Sequence, residues 1–397
     1  MNDELEHCEK DDDDDESPIK LFERISPDIF DGTGEEDQQE QQEGGPNNNN
    51  NMDVAYEEEE DDIAMAPDPH LRYAAEAHVE AEIAKMNPTE RETIYFDVHG
   101  ISSLPVETPE LVRESLANFQ SAIDALLKKS ATNKHKRNNE SGFGLRGIFS
   151  TQAYETALSM DPHYVEHPER RLAFLRREKF LDPASAAKRY IRWFSVKLDL
   201  FGTNLLTETI TQDDLASLDD DDEEQESSYV ASKENENNST TNTTTTAIKA
   251  LTDGYKQILP LRDNAGRLVF CDLVGNSCND TLLSGTNKLR RKFYMAMVAS
   301  EDPETQLKGA IMVWYAVGAA TDEAPLDNWG FVRGLFAVLD CLPLRMEAIH
   351  SCHNNHWRYA AKVALFRLTC GIFLSARTRV HVGPHHKCLF VLQTYGM

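Results

Sequence analysis

The residues best suited to chemistry lie near the C-terminal end, where histidines and cysteines gather on both sides of a predicted strand. The two groups are His350, Cys352, His353 and His356, and then His381, His385, His386 and Cys388. Imidazole and thiolate are preferred zinc ligands, so a metal site is one interpretation. The spacing argues against it, because structural zinc sites generally use regular pairs such as Cys-x-x-Cys. We therefore expect strand-end and loop residues that bind no metal.

Residues for catalysis are harder to find. The chain contains no nucleophile elbow, no paired carboxylates at a predicted strand end and no phosphate-binding loop with its lysine. One glycine pattern, Gly142-x-Gly144-x-x-Gly147, matches the dinucleotide fingerprint, but it follows polar residues instead of a strand. A flexible loop is the better interpretation of that pattern. We expect no catalytic residues, no cofactor and no enzymatic activity.

The elements that position the histidines read as strand, helix, strand. Residues 344–350 and 379–382 alternate between apolar and polar side chains, as half-buried strands do. Residues 357–374 are apolar over a wide arc and too long for a strand, so they predict a helix that is buried or lies against lipid. Strands joined by a helical crossover are parallel neighbours, which would bring His350 and His381 close together.

This unit resembles the last third of a CRAL-TRIO lipid-transfer domain. Four stretches carry the resemblance, in the family's order: Leu172-Ala-Phe174-Leu175-Arg176-Arg177, Asp263-Asn-Ala-Gly266-Arg267, Glu301-Asp-Pro303 through Gly309 into an apolar run, and Leu342-Pro343 through Gly383. The resemblance implies an α/β fold, with a mostly parallel sheet, surrounding helices and an apolar lid helix over 357–374. A small helical module would precede it.

The resemblance also implies a function. The chain would bind a small hydrophobic ligand, a phospholipid or an isoprenoid-type lipid, in a cavity closed by the 357–374 helix, and would transfer or present it inside the cell. The positions that match the family's ligand contacts, each of which could instead be plain core, are Met312, Trp314, Ile349, Phe366, Phe373 and Arg379. The alternative function is a protein-interaction scaffold built on a degenerate CRAL-TRIO fold.

One pair of positions bears on the identity of the lipid. Members that transfer phosphatidylinositol use a Glu and a Lys to hold the headgroup, and Leu344 and Arg379 stand at those positions here. Half of the pair is therefore missing, although an arginine could still bind a phosphate. The sequence therefore does not decide whether inositol headgroups are recognised.

Charge is distributed very unevenly along the chain. The net charge is −28, but residues 1–62 hold 25 acidic and 3 basic side chains, and residues 204–250 hold 12 acidic and 2 basic ones. Residues 251–397 hold 16 bases against 12 acids. The acidity thus lies in low-complexity segments that have little to bury, while the lipid-binding segment is mildly basic.

Composition and pattern divide the chain into five segments. They are a disordered acidic tail (1–69), a helical extension (70–150), the helical module (151–203), an acidic linker (204–250) and the lipid-binding domain (251–397). The extension has predicted helices at 69–86 and 108–127 and no family counterpart. It could form a subdomain, or its helices could lie across the lipid-binding domain.

Partners and location follow from the same features. No apolar run reaches the roughly 20 residues that span a bilayer, the N-terminus is acidic, and seven cysteines without regular spacing suit a reducing compartment. We expect a cytoplasmic monomer that touches membranes transiently and binds a hydrophobic lipid but no nucleic acid. A protein partner could bind residues 70–150 or the acidic segments.

Overall fold

A computed structural model describes residues 69–134, 150–218, 251–252, 254, 256–273, 285–318 and 329–397. The described chain is an α/β protein with a five-stranded, mostly parallel sheet and many helices. The predicted acidic tail up to residue 68, the glycine pattern at 142–147 and residues 219–250 of the predicted linker lie outside these ranges. None of the described helices is both long and apolar enough to cross a membrane.

Seven labelled helices precede the sheet. They are α1 (Pro69–Lys85), α2 (Pro88–His99), α3 (Pro109–Lys134), α4 (Gln152–Met160), α5 (Pro162–Glu166), α6 (Pro168–Arg177) and α7 (Pro183–Phe201). Six of the seven have a proline at their first position and a carboxylate, hydroxyl, amide or imidazole residue before it. Helix α3 continues past the predicted end at residue 127 as far as Lys134.

The sheet follows in simple order, β1-β2-β3-β4-β5. Its strands are β1 (Lys256–Arg262), β2 (Leu268–Leu273), β3 (Ala310–Ala316), β4 (Met346–His353) and β5 (Thr378–Val382). Strand β1 is antiparallel to β2, and the other neighbours are parallel. In chain order, α8 (Gly285–Ala299) and α9 (Pro303–Lys308) lie between β2 and β3, and α10 (Trp329–Cys341) lies between β3 and β4. Helices α11 (Trp357–Thr369) and α12 (Gly371–Ser375) lie between β4 and β5, and α13 (His385–Thr394) follows β5.

Helices cover both faces of the sheet. Side chains at Phe270 and Met346 join a large core with α3 to α8 and α10, whereas the alternate residues Val269 and Ile311 pack against α2 and α13. Covering both faces explains why β4 is buried at every position, since strands of a parallel sheet under helices have no solvated side.

The N-terminal helices lie across the sheet domain instead of forming a separate core. Helix α2 packs on β4, and α1 packs on α11 and α12. Asp97, 3 % exposed, fixes this arrangement, because its carboxylate accepts from Ser102 Oγ (2.6 Å), Lys179 Nζ (2.9 Å) and Arg377 Nη2 (2.5 Å). Hydrogen bonds to the charged form offset the desolvation of this carboxyl and hold its pKa well below the usual range.

The helical module of residues 151–203 shares one hydrophobic core with the sheet. Arg177 and Arg189 extend from it to the end of α10, where each donates to the carbonyl of Asp340, at 2.9 Å and 2.7 Å. The core also includes Leu206, Ile210 and Leu215, and residues 212–218 are helical. Residues 204–218 of the segment predicted as a linker are therefore folded onto the helical module, because these leucine and isoleucine side chains are buried.

The predicted lid helix over 357–374 is two helices. Helix α11 ends at Thr369, with Cys370 as its C-cap, and Gly371 has a φ of 70°, in the left-handed region that favours glycine. Helix α12 begins at that residue and ends at Ser375. The chain therefore has a bend inside the segment that the sequence indicated as continuous.

Candidate ligand cavity

A cavity of about 160 Å³ lies on one face of the sheet, under helices α8, α10 and α11. Its floor comes from the strands and its roof from the three helices. The apolar lining residues are Met312, Trp314, Phe331, Val332, Leu335, Ile349, Val363, Leu365 and Phe366. All other lining side chains are polar or charged, and they come chiefly from the edge of the floor and from α8.

The floor consists of two rows of side chains that run across the strands. Met312, Ile349 and Thr378 are neighbours in register and form an almost apolar row. Two residues further along the strands, Asp272 lies beside Trp314, which lies beside Ser351. Because a strand advances about 3.3 Å per residue, the polar row lies about 7 Å from the apolar one.

Aromatic contacts join the roof to the floor. The Phe366 ring on α11 lies 5.3 Å from the Phe336 ring on α10, which connects the two roof helices. Tyr359 on α11 meets Trp314 on β3 edge to face, with 5.8 Å between ring centroids. Such pairs favour particular orientations of the rings, so they fix the position of α11 above the strands.

The polar side of the cavity is rich in cations. Lys256 Nζ and Lys292 Nζ both lie near the Asp272 carboxylate, at 2.8 Å and 3.4 Å. Lys362 Nζ lies 5.6 Å from the centroid of the Trp314 ring. Arg291 is also in the lining and is only 1 % exposed. This side of the cavity is therefore polar and charged, while the other side offers apolar contact.

The structure brings four of the six predicted ligand residues together. Met312, Trp314, Ile349 and Phe366 all line the cavity. Phe373 does not, because it lies on α12 and is 54 % exposed.

Arg379 lies on the opposite face of the sheet. It pairs in register with His350, and its guanidinium donates to the carbonyl of Ala376 at 2.8 Å. Leu344, the other position of the headgroup pair, is buried in the core before β4. Neither position therefore faces the cavity.

His350 on β4 and His381 on β5 lie against each other, as the parallel arrangement predicts; His350 is buried and His381 is half-buried. His350 Nδ1 lies 3.0 Å from His381 Nε2, and the two rings are stacked. Tyr395 packs its ring against His350 at 4.5 Å. Burial first, and then the positive groups around it, lower the pKa of His350 to about 3. Within the described residues, no three histidine, cysteine or acidic side chains are arranged to hold a metal ion.

Sequence reasoning missed the cations of the cavity. A signal was present in α8, where Lys288, Arg291 and Lys292 are spaced by three and four residues and therefore share one helix face. Lys256 and Lys362 carried no comparable signal, because they come from distant strands and helices and meet only through the fold.

No protein-family model matches the chain, and no curated protein is significantly similar to it in sequence.

Proposed function

We propose that this protein binds a small hydrophobic ligand in the cavity and carries or presents it without chemical change. The observation that carries this proposal is the apolar lining formed by Met312, Ile349 and Phe366 beneath the roof helices. Burying each CH₂ group of a ligand there would contribute about 0.8 kcal/mol, which is the driving force that a lipid carrier needs.

The volume indicates how much of a ligand the cavity holds. An apolar cavity of about 150 Å³ is large enough for benzene, whereas pockets for drug-sized ligands range from about 300 to 1,000 Å³. At about 160 Å³ the cavity accommodates one ring or one short chain. A longer lipid requires the roof to move, and the bend at Gly371 gives α11 a place to pivot.

The order of the elements supports a more specific proposal, that the protein is a lipid carrier similar to CRAL-TRIO proteins. A helical module precedes a mostly parallel sheet, and the crossover between β4 and β5 supplies part of the cavity roof. We do not extend the proposal to inositol lipids, because Leu344 is buried in the core and Arg379 lies on the other face. Transient contact with a cytoplasmic membrane surface would load and unload the ligand.

The direct test is lipid extraction and mass spectrometry of the purified protein, beside a variant in which the cavity is filled. Leu335→Trp adds an apolar ring to the lining and buries no charge. Leu389→Trp is the matched control, because Leu389 lies on α13 and is 40 % exposed.

We expect wild type and Leu389→Trp to retain or exchange a hydrophobic ligand and Leu335→Trp to lose it, with unchanged circular dichroism. A folded wild type that takes up no ligand from a panel of phospholipids, sterols and isoprenoids would contradict the proposal. The interaction scaffold would then be the remaining function.

A further inference from the structure

One hydroxyl group of the cavity lining has no partner among the described residues. The lining contains two hydroxyl side chains, Ser351 on β4 and Thr378 on β5, and both are 3 % exposed. Thr378 Oγ1 donates to the carbonyl of Leu374 at 3.1 Å, whereas Ser351 Oγ finds no hydrogen bond in the part of the chain that the structure describes. The lysine, arginine and aspartate side chains of the lining all have interaction partners.

This hydroxyl destabilises the empty protein. A buried donor or acceptor that has lost its hydrogen bonds to water and gained none in return is unfavourable. An alanine would fill nearly the same volume on β4, which is buried at every position, without leaving a polar atom unpaired. A ligand oxygen that reaches Ser351 Oγ would convert this loss into a favourable contact.

Apolar side chains lie beside Ser351 on the same face of the sheet. Trp314 is its neighbour in register on β3, and Ile349 lies two residues earlier on β4, in the apolar row of the floor. A strand advances about 3.3 Å per residue, so Ser351 lies about 7 Å from that row. A ring or short chain that rests on the apolar row can therefore present one oxygen to Ser351.

We infer that the ligand is a small alcohol or phenol, whose hydroxyl pairs with Ser351 Oγ and whose apolar ring or chain lies over Met312 and Ile349. A hydroxyl group pairs with serine in either direction, as donor or as acceptor, whereas a ketone can only accept. The charged lining side chains already have partners, so nothing in the described lining calls for a charge on the ligand. This inference rests on the proposed function, since it names the class of ligand that the same cavity takes.

Phenol and toluene are a matched pair of probes, because they differ only in a hydroxyl that replaces a methyl group. Each is a single ring, which a cavity of about 160 Å³ accommodates. Isothermal titration of the full chain near pH 7, where phenol is uncharged, gives the ratio of their affinities. We expect Ser351→Ala to lower the preference for phenol over toluene about fivefold, the scale of one neutral hydrogen bond. Toluene should bind this variant as tightly as wild type, since its contacts are apolar.

Ser375→Ala is the matched control. Ser375 Oγ is also buried and without a hydrogen bond among the described residues, but Ser375 is not in the cavity lining. This variant should leave the preference for phenol unchanged. Without ligand, neither substitution should lower the melting temperature, because each removes a hydroxyl that makes no hydrogen bond in the folded protein. Circular dichroism confirms that both variants are folded.

The outcomes separate the two proposals. An unchanged preference for phenol in Ser351→Ala would overturn the pairing with Ser351 and leave the hydrophobic carrier standing. A lower melting temperature of Ser351→Ala without ligand would also overturn the inference, because the hydroxyl would then be paired in the empty protein. Failure of both phenol and toluene to bind the folded wild type would overturn the proposed function itself.

Discussion

Lowering the pH should destabilise this protein through one buried histidine. His350 has no exposed surface, and it lies between the sheet and the helices α2 and α13. Its pKa is lowered to about 3 by burial first, and then by His381 and Arg379 on β5, Arg267 from the turn before β2 and His99 on α2. The native state therefore keeps this imidazole neutral, while the unfolded chain protonates it near pH 6.5.

The sign and size of the effect follow from proton linkage. Between pH 6.5 and pH 3 the unfolded state binds a proton that the native state does not, so the free energy of unfolding decreases as the pH falls through that window. The stabilisation is complete above pH 6.5. With these two pKa values, the loss from His350 alone between pH 7 and pH 5 is about 2 kcal/mol. The pKa of His381 is lowered as well, mainly by burial, so its contribution has the same sign.

Urea denaturation of wild type and His350→Gln at pH 7, 6 and 5 measures this loss. The difference in unfolding free energy between the two proteins should decrease by about 2 kcal/mol from pH 7 to pH 5, because only wild type contains the titrating group. His386→Gln, at an exposed position on α13, is the control for replacing a histidine. A difference that stays constant with pH would refute the reasoning, since it would mean that the imidazole is equally protonated in both states.

Three further predictions concern the fold and the roof. Asp97→Asn should reduce the free energy of unfolding, measured by urea denaturation, by about 3–5 kcal/mol, because it leaves the buried ends of Lys179 and Arg377 without their carboxylate. A loss below about 1 kcal/mol would contradict the role of this network. Phe366→Asp should abolish ligand uptake, measured by mass spectrometry, because a carboxylate brings water into the cavity. The circular dichroism should remain that of wild type. Loss of the fold would instead show that α11 is an ordinary core helix. Removal of residues 1–69 should change the melting temperature by less than about 4 °C, the scale of about 1 kcal/mol for a domain, because their polar composition buries little.

The sheet was accessible from sequence because its strands carry strong and simple patterns. The apolar run that became β3 and the alternation in β4 each indicated a strand, and the long apolar segment between β4 and β5 indicated a crossover. Parallel pairing then followed from connectivity alone, and it placed His350 beside His381. The proximity of the two histidines could be inferred because both strands are short, whereas the register, which pairs His350 with Arg379, is visible only in the structure.

Other elements could not be predicted from the sequence, because their apolar pattern is weak or is masked by neighbouring residues. Helix α2 has few apolar residues, and its best signal is local: Asn87 and Glu90 cap its start reciprocally, with a proline between them. The bend at Gly371 was hidden because the apolar pattern continues on both sides of it. Leu206 and Ile210 were assigned to a linker, since the acidic residues that follow them dominate the composition of that window.

The charge of the cavity shows most clearly what only the fold can assemble. Lys256, Lys292 and Lys362 come from β1, α8 and α11, and the nearest two are 36 residues apart in the chain. Composition gives no sign of this cluster, because the net charge of the chain is −28. A ligand responds instead to the local potential, and a recess with walls of low dielectric concentrates the field of the charges that line it.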